Sequence, residues 1–316
     1  MYLTSLEIHG LRHVDGLVMP DLGQVVLLPP PPVGVAVADA LTLVRATLEA
    51  GATEDALRRL AVIGPDEEVD LVREGGFVVQ AAWSDPTGIA ALVDPEAGRR
   101  LTVEVGLHLD PPLYGRLREL AVREPRLVTA LGQGPSLGVK VGWLFTRDLC
   151  TASLSLLQVR VGQSAFPTGG DRPGWLSAIL PTVGGRFGRL DWQEGVHSIG
   201  TRLLEAALGP DPERRAAVGR TSEALAGPPF SLGELELVRL GDQVLPCFGK
   251  ELTRVRQLGS AALAALRLVS AVCVDAPDVL VVEEAWDEGV RDWLEACTTG
   301  EAATLEQVVL VPGRAG

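Results

Sequence analysis

The chain has 316 residues, enough for one large domain or two modest ones, and its 47% hydrophobic content marks it as folded and globular. A formal net charge of −13 excludes a general polyanion binder, because phosphate backbones demand clustered positive charge. The cysteines, Cys150, Cys247, Cys273 and Cys297, are too widely spread for a zinc site or a disulfide framework. With no leader-like start and no apolar run long enough to span a bilayer, the sequence reads as a cytoplasmic protein without a membrane segment.

Leu3 to His9 alternates apolar and polar residues, as a half-buried strand does, and Leu17 to Met19 gives a second short strand after the turn at Gly10-Leu11-Arg12-His13. Val25 to Leu28 is an apolar run suited to a buried strand, and from Val35 a helix continues through Leu43, Val44 and Leu48. A strand feeding a helix through a short loop is the layout of a phosphate-binding P-loop. The loop's chemistry is different. A P-loop holds phosphates with successive backbone N–H groups, a Lys and a Ser or Thr hydroxyl on magnesium. Here Pro29, Pro30, Pro31 and Pro32 have no amide hydrogens, and with Asp39-Ala40-Leu41 as the anchor of the alignment Gly34 stands for the Lys and Val35 for the hydroxyl residue. Arg45 lies eleven positions beyond Gly34, about 16 Å along a helix, and the only lysines are Lys140 and Lys250. The prolines are expected to form a rigid closure, with Leu27, Leu28, Val33 and Val35 packed where a nucleotide would sit.

Ala56 to Leu60 offers a second apolar helix face, ended by Gly64-Pro65-Asp66. Phe77 to Trp83, Gly88 to Val93 and Leu101 to Leu107, separated by turn residues, predict an antiparallel meander. Pro111-Pro112 start a helix over Leu113 to Val122. From Pro125 to Gly195 glycines and prolines are dense, with a strand at Leu154 to Val161 and a short helix at Trp175 to Leu180. The arginines between Arg172 and Arg220, offset by Asp171, Asp191, Glu194, Glu205, Asp211 and Glu213, read as a mixed solvated surface. Two helices, His197 to Leu208 and Pro212 to Leu225, precede a hairpin of Leu235 to Leu240 with Val244 to Cys247. A helix runs on to Val274. Asp278-Val-Leu-Val-Val-Glu-Glu284 is then a strand ending in two acids, and Gln307 to Val311 is a last strand.

The order of these segments resembles the ABC-type ATPase heads of the SMC and RecF group. Leu6-Glu-Ile-His-Gly-Leu-Arg-His13 followed by Val25-Val-Leu-Leu28 is similar to the start of those heads, Glu251 to Ser260 occupies the place of their signature motif, and Asp278 to Glu284 that of their Walker B strand. The resemblance implies an α/β, P-loop NTPase-like fold with a mixed sheet, an antiparallel β layer and a helical subdomain. Its parts would be an N-terminal ATPase-like lobe over 1–124, a helical or irregular insertion over 125–228 that stands for a shortened arm, and a C-terminal lobe over 229–316. In the signature, Leu252 and Thr253 match but Val255 replaces a glycine whose backbone approaches the γ-phosphate. Glu283 stands for the Walker B Asp and Glu284 for the catalytic glutamate. Pro312-Gly313 stand where the family has its switch histidine. So substituted, the resemblance implies a pseudo-ATPase with no catalytic residue, nucleotide cofactor or metal. Its partner would be a protein, a second copy or an ATPase paralogue, and nucleic acid would not be a strong direct ligand. The alternatives are a divergent ATPase and a DNA-associated subunit of a repair or defence system.

Overall fold

Alternation of apolar and polar residues builds the largest sheet. In β1 (Tyr2–His9) and β6 (Arg100–His108) the side chains of Leu6, Ile8, Leu101, Val103, Val105 and Leu107 are buried on one face, while Glu7, Thr102 and Glu104 face outward. The computed structural model describes residues 1–11, 16–49, 60–62, 77–79, 100–145, 151–166, 173–190, 194–241, 243–248, 253–254, 259–283, 287–299 and 303–312. It divides into two units, Met1–Phe187 with Val309–Gly316, and Gly188–Val308.

In the first unit, β2 (Leu17–Met19), β1, β6, β7 (Ser136–Phe145), β8 (Thr151–Val161), β4 (Leu60–Val62) and β5 (Phe77–Val79) lie side by side in that order, with β9 (Ser164–Phe166) also on β8. The pairs are antiparallel except β4 with β5, so the sheet is mixed. Of the meander expected from the sequence, Leu101 to Leu107 lies in β6 and Phe77–Val79 pairs in parallel with β4, while residues 80–99 are outside the described set. Alternation specifies a strand's faces but not its neighbour. The stretch 125–228, read as helical or irregular, contains β7, β8 and β9. Across the outward face the row Glu7, Glu104, Lys140, Gln158 is in register; Glu104 accepts from Lys140 Nζ at 3.0 Å and also pairs with Arg160, which relieves the repulsion between facing glutamates.

Helices α1 (Val33–Glu49), α2 (Pro111–Ala121), α3 (Pro125–Leu131) and α4 (Gly174–Gly184) belong to the same unit. Asp110 caps α2 by accepting from Leu113 N, and its carboxylate also takes a 2.8 Å bond from Arg186 Nη1. Burial pushes that carboxyl up, but the Arg186 hydrogen bond and the nearby Met1 amino group outweigh it and hold it below the ordinary Asp range. α1 carries its apolar residues on a wide face: Val37, Ala38, Ala40, Leu41, Leu43, Val44 and Leu48 are all buried. It meets α4 closely, for a Cβ on Gly184 would stand 2.6 Å from Glu49 N and 2.9 Å from Leu48 Cβ.

The second unit holds α5 (Val196–Leu208), α6 (Pro212–Ala226), the hairpin β11 (Leu235–Leu240) with β12 (Gln243–Phe248), and β13 (Thr253–Arg254) on β12. After it come α7 (Ser260–Ser270), which ends in a π-helical turn over Ala271–Asp275, then β14 (Val279–Glu283) and α8 (Glu288–Thr298). Every residue of β14 is buried, as the continuous Val-Leu-Val-Val run requires of a strand covered on both faces. β10 (Phe187–Arg189), β14 and β15 (Gln307–Val311) are neighbours in that order. Gln307 and Val308 lie in the second unit and Val309–Val311 in the first, where β15 pairs with β3 (Val25–Leu27).

Candidate functional site

The loop between β3 and α1 is where the fold would present a phosphate cradle. β3 alternates rather than being buried throughout: Val26 is buried, whereas Val25 is 38% and Leu27 61% exposed. Leu28 turns inward and its N–H donates to the Leu310 carbonyl at 2.9 Å. Leu28 therefore packs as expected and Leu27 does not. Strand pleating puts consecutive side chains on opposite faces, and only one face of β3 is covered.

After Leu28 the four prolines fold straight into the helix, which begins at Val33, two residues earlier than expected. Gly34 N–H points to the Pro30 carbonyl at 3.4 Å and Ala36 N–H donates to the Pro32 carbonyl at 3.1 Å. The first turn of a helix ordinarily leaves N–H groups unpaired, which is what makes it an anion site. Here one of them, Gly34 N–H, already faces a backbone carbonyl, and Pro32 just before the helix has no N–H to offer. The Gly34 Cα is pressed against the loop: a Cβ there would lie 2.1 Å from the Pro29 oxygen and 3.1 Å from Val311 Cγ1. Val35 is half-buried and supplies no hydroxyl. The one cation on α1, Arg45, bonds Glu49 on its own helix at 2.9 Å.

The second candidate place is the end of β14. Glu283 is buried, and Arg189 at the end of β10 donates to its Oε1 from Nε at 2.5 Å and from Nη2. The sequence alone gives the arginines of this region as part of a mixed solvated surface, and Arg189 departs from that. Its side chain is only 8% exposed. The signal that could have found it is Phe187-Gly-Arg-Leu190, a short strand whose one charge falls between apolar residues. Elsewhere in the second unit, Arg202 bridges the carboxylates of Glu194 and Asp275, and Arg267 donates from Nε and Nη2 to the Glu194 carbonyl at 2.8 and 2.6 Å. Glu284, Leu252 and Val255 lie outside the described residues, and Thr253 lies in β13.

Two of the thiols are held in the neutral form by their surroundings. Burial pushes Cys273 up to about 11 and Cys297 up to about 12, so both stay protonated. Among the described residues no group of three His, Cys, Asp or Glu side chains could hold a metal ion, and no helix is long and apolar enough to cross a membrane.

No family model and no curated protein matches this sequence. Among solved structures the chain is similar to the crystal structure of the Smc head domain with an extended coiled coil, bound to the C-terminal domain of ScpA and derived from Pyrococcus furiosus. That likeness has a TM-score of 0.50 at 11% identity and covers 99% of this chain and 90% of that one. The recombination mediator protein RecF of the RecFOR pathway, in its ATP form, also matches, with a TM-score of 0.41 at 9% identity over 99% of this chain and 94% of that one. At such identities the likeness is one of fold: the chain has the mixed α/β, P-loop ATPase-like fold of an SMC head, with an antiparallel sheet and a helical part.

Proposed function

We propose that this protein uses an ATPase-head fold without ATPase chemistry, as a structural or scaffolding subunit that works through protein–protein contact in the cytoplasm. The observation that carries this reading is the Pro29 carbonyl against Gly34, in the loop where the fold's nucleotide-binding members keep their phosphate cradle. Phosphate oxygens need N–H donors and a cation. This loop offers four residues without an amide hydrogen, a carbonyl pressed on the position of the Lys, and a helix start whose Gly34 N–H faces the Pro30 carbonyl. The residues therefore do not fit a nucleotide with its magnesium, and no hydrolytic step is assigned to Glu283 or Glu284.

A protein partner is the natural ligand of such a head. The Smc head of Pyrococcus furiosus is itself bound to a domain of ScpA, and a second copy of this chain or an ATPase of the same fold is the candidate here. The net charge of −13 weighs against nucleic acid as a strong direct ligand. The helix pair α5 and α6 we assign to a shortened arm.

Titration calorimetry with ATP and magnesium tests the reading. The expected result is no heat above dilution. A dissociation constant at or below about 10 μM, about −7 kcal/mol, would contradict it.

A further inference from the structure

Glu283 is a buried carboxylate at the end of a wholly buried strand, and such a group persists as an anion only beside a cation. In the ATPases that this strand resembles, the cation is a divalent ion. The geometry points to a different one here: we propose that the Arg189 guanidinium is the built-in counter-ion of Glu283, taking the part of a divalent metal and closing the end of β14 to it. The inference rests on placing Glu283 at the Walker B position and not on the proline loop.

Three observations support it. Two N–H groups of Arg189 converge on one oxygen, Oε1, and the two side chains are only 8% and 10% exposed. Guanidinium keeps its charge at any pH at which the protein is folded, so it cannot be displaced by losing a proton as a Lys could. A divalent ion approaching that oxygen would meet a like charge at hydrogen-bond distance, in a place where water screens little. Magnesium, moreover, accepts only near-octahedral oxygen ligands and keeps several waters, and an acid already shared by two N–H donors at a dry strand end meets neither condition. Elsewhere in the same unit Arg202 and Arg267 bind the carboxylate and carbonyl of Glu194. Around Glu194, as at Glu283, guanidinium groups make the ionic contacts.

The test compares the full chain with Arg189→Met, Glu283→Gln and the neutral double replacement Arg189→Met/Glu283→Leu. Thermal unfolding is followed in chelator and in millimolar Mn²⁺ without nucleotide, and free Mn²⁺ is counted by electron paramagnetic resonance. The wild type is expected to bind no Mn²⁺ at Glu283 and to melt at the same temperature in both buffers. Each single variant should raise the unfolding constant about a hundredfold, because it strands a buried charge or donor set, and the double replacement should recover at least about tenfold of that. Mn²⁺ that binds the wild type but not a variant lacking the Glu283 carboxylate overturns the proposal, as does a double replacement no more stable than the worse single. Should a single variant fail to fold, the double variant carries both readouts: its folding supports the pair, and loss from it of a Mn²⁺ site present in the wild type overturns it. Because no nucleotide is present, a metal at Glu283 would sink the guanidinium assignment and leave the reading of the proline loop standing.

Discussion

Replacing Gly34 with Ala is expected to destabilise the first unit by about 2–3 kcal/mol, the upper part of the range for overpacking in a well-packed interior, and Gly34→Lys by at least as much. The reason is local. The added Cβ would stand 2.1 Å from the Pro29 carbonyl oxygen, which is backbone and cannot rotate away, and 3.1 Å from Val311 Cγ1. Either the Pro29–Pro32 loop lifts from the helix start, losing the contacts of Gly34 and Ala36 N–H with the proline carbonyls, or α1 moves off β15. Lysine is what a phosphate-binding loop carries at this position, so the same substitution that would restore a motif on paper is the one the backbone here tolerates least. Urea denaturation followed by circular dichroism measures both variants. Where the two units unfold separately, the transition of the first is the one to read.

Leu43→Ala in α1 should cost about 2–5 kcal/mol, the cost of deleting most of a large side chain from a site that does not collapse. Leu43 is fully buried, as are Val37, Leu41, Val44 and Leu48, and the helix's C-terminal turn is fitted to α4 at Gly184. Here apolar burial holds α1 throughout its length, and the loss on Leu43→Ala should be the same in the presence and absence of MgATP. Denaturation midpoints in the two buffers supply the comparison.

Much of the fold was legible because its elements obey simple periodicities. The alternation in Tyr2–His9, the buried Val-Leu-Val-Val of β14 and the proline starts of α2 and α6 each name an element from local chemistry. What was lost has physical reasons. β7 shows a period of two in Leu137, Val139, Val141 and Trp143, but Gly138 and Gly142 stand on its other face and the stretch reads as loop. Over Gly138 lies the side chain of Arg160, which reaches Glu104, a neighbour set by the next strand. The parallel pairing of Phe77–Val79 with β4 is likewise a long-range choice that no window of sequence contains. At the candidate site, the missing amide hydrogens, the missing Lys and Glu283 could be read from residue types alone. The approach of Pro29 to Gly34 and the pairing of Arg189 with Glu283, 94 residues apart, could not.

The most direct measurement is a restoration. Residues Pro29 to Val35 are replaced by Gly-Pro-Asn-Gly-Ala-Gly-Lys-Ser, and the melting temperatures of this variant and of the wild type are recorded with and without MgATP. If the proline loop is a closure, the variant melts below the wild type, because glycines add freedom to the unfolded chain and the Lys side chain must enter the space now filled by the Pro29 carbonyl and Val311. Neither protein then gains from the nucleotide. A variant that melts above the wild type and rises further with MgATP, or a wild type that itself rises with MgATP, would contradict the account, since ligand at a hundredfold excess over its dissociation constant adds about 2.7 kcal/mol to a site that binds it.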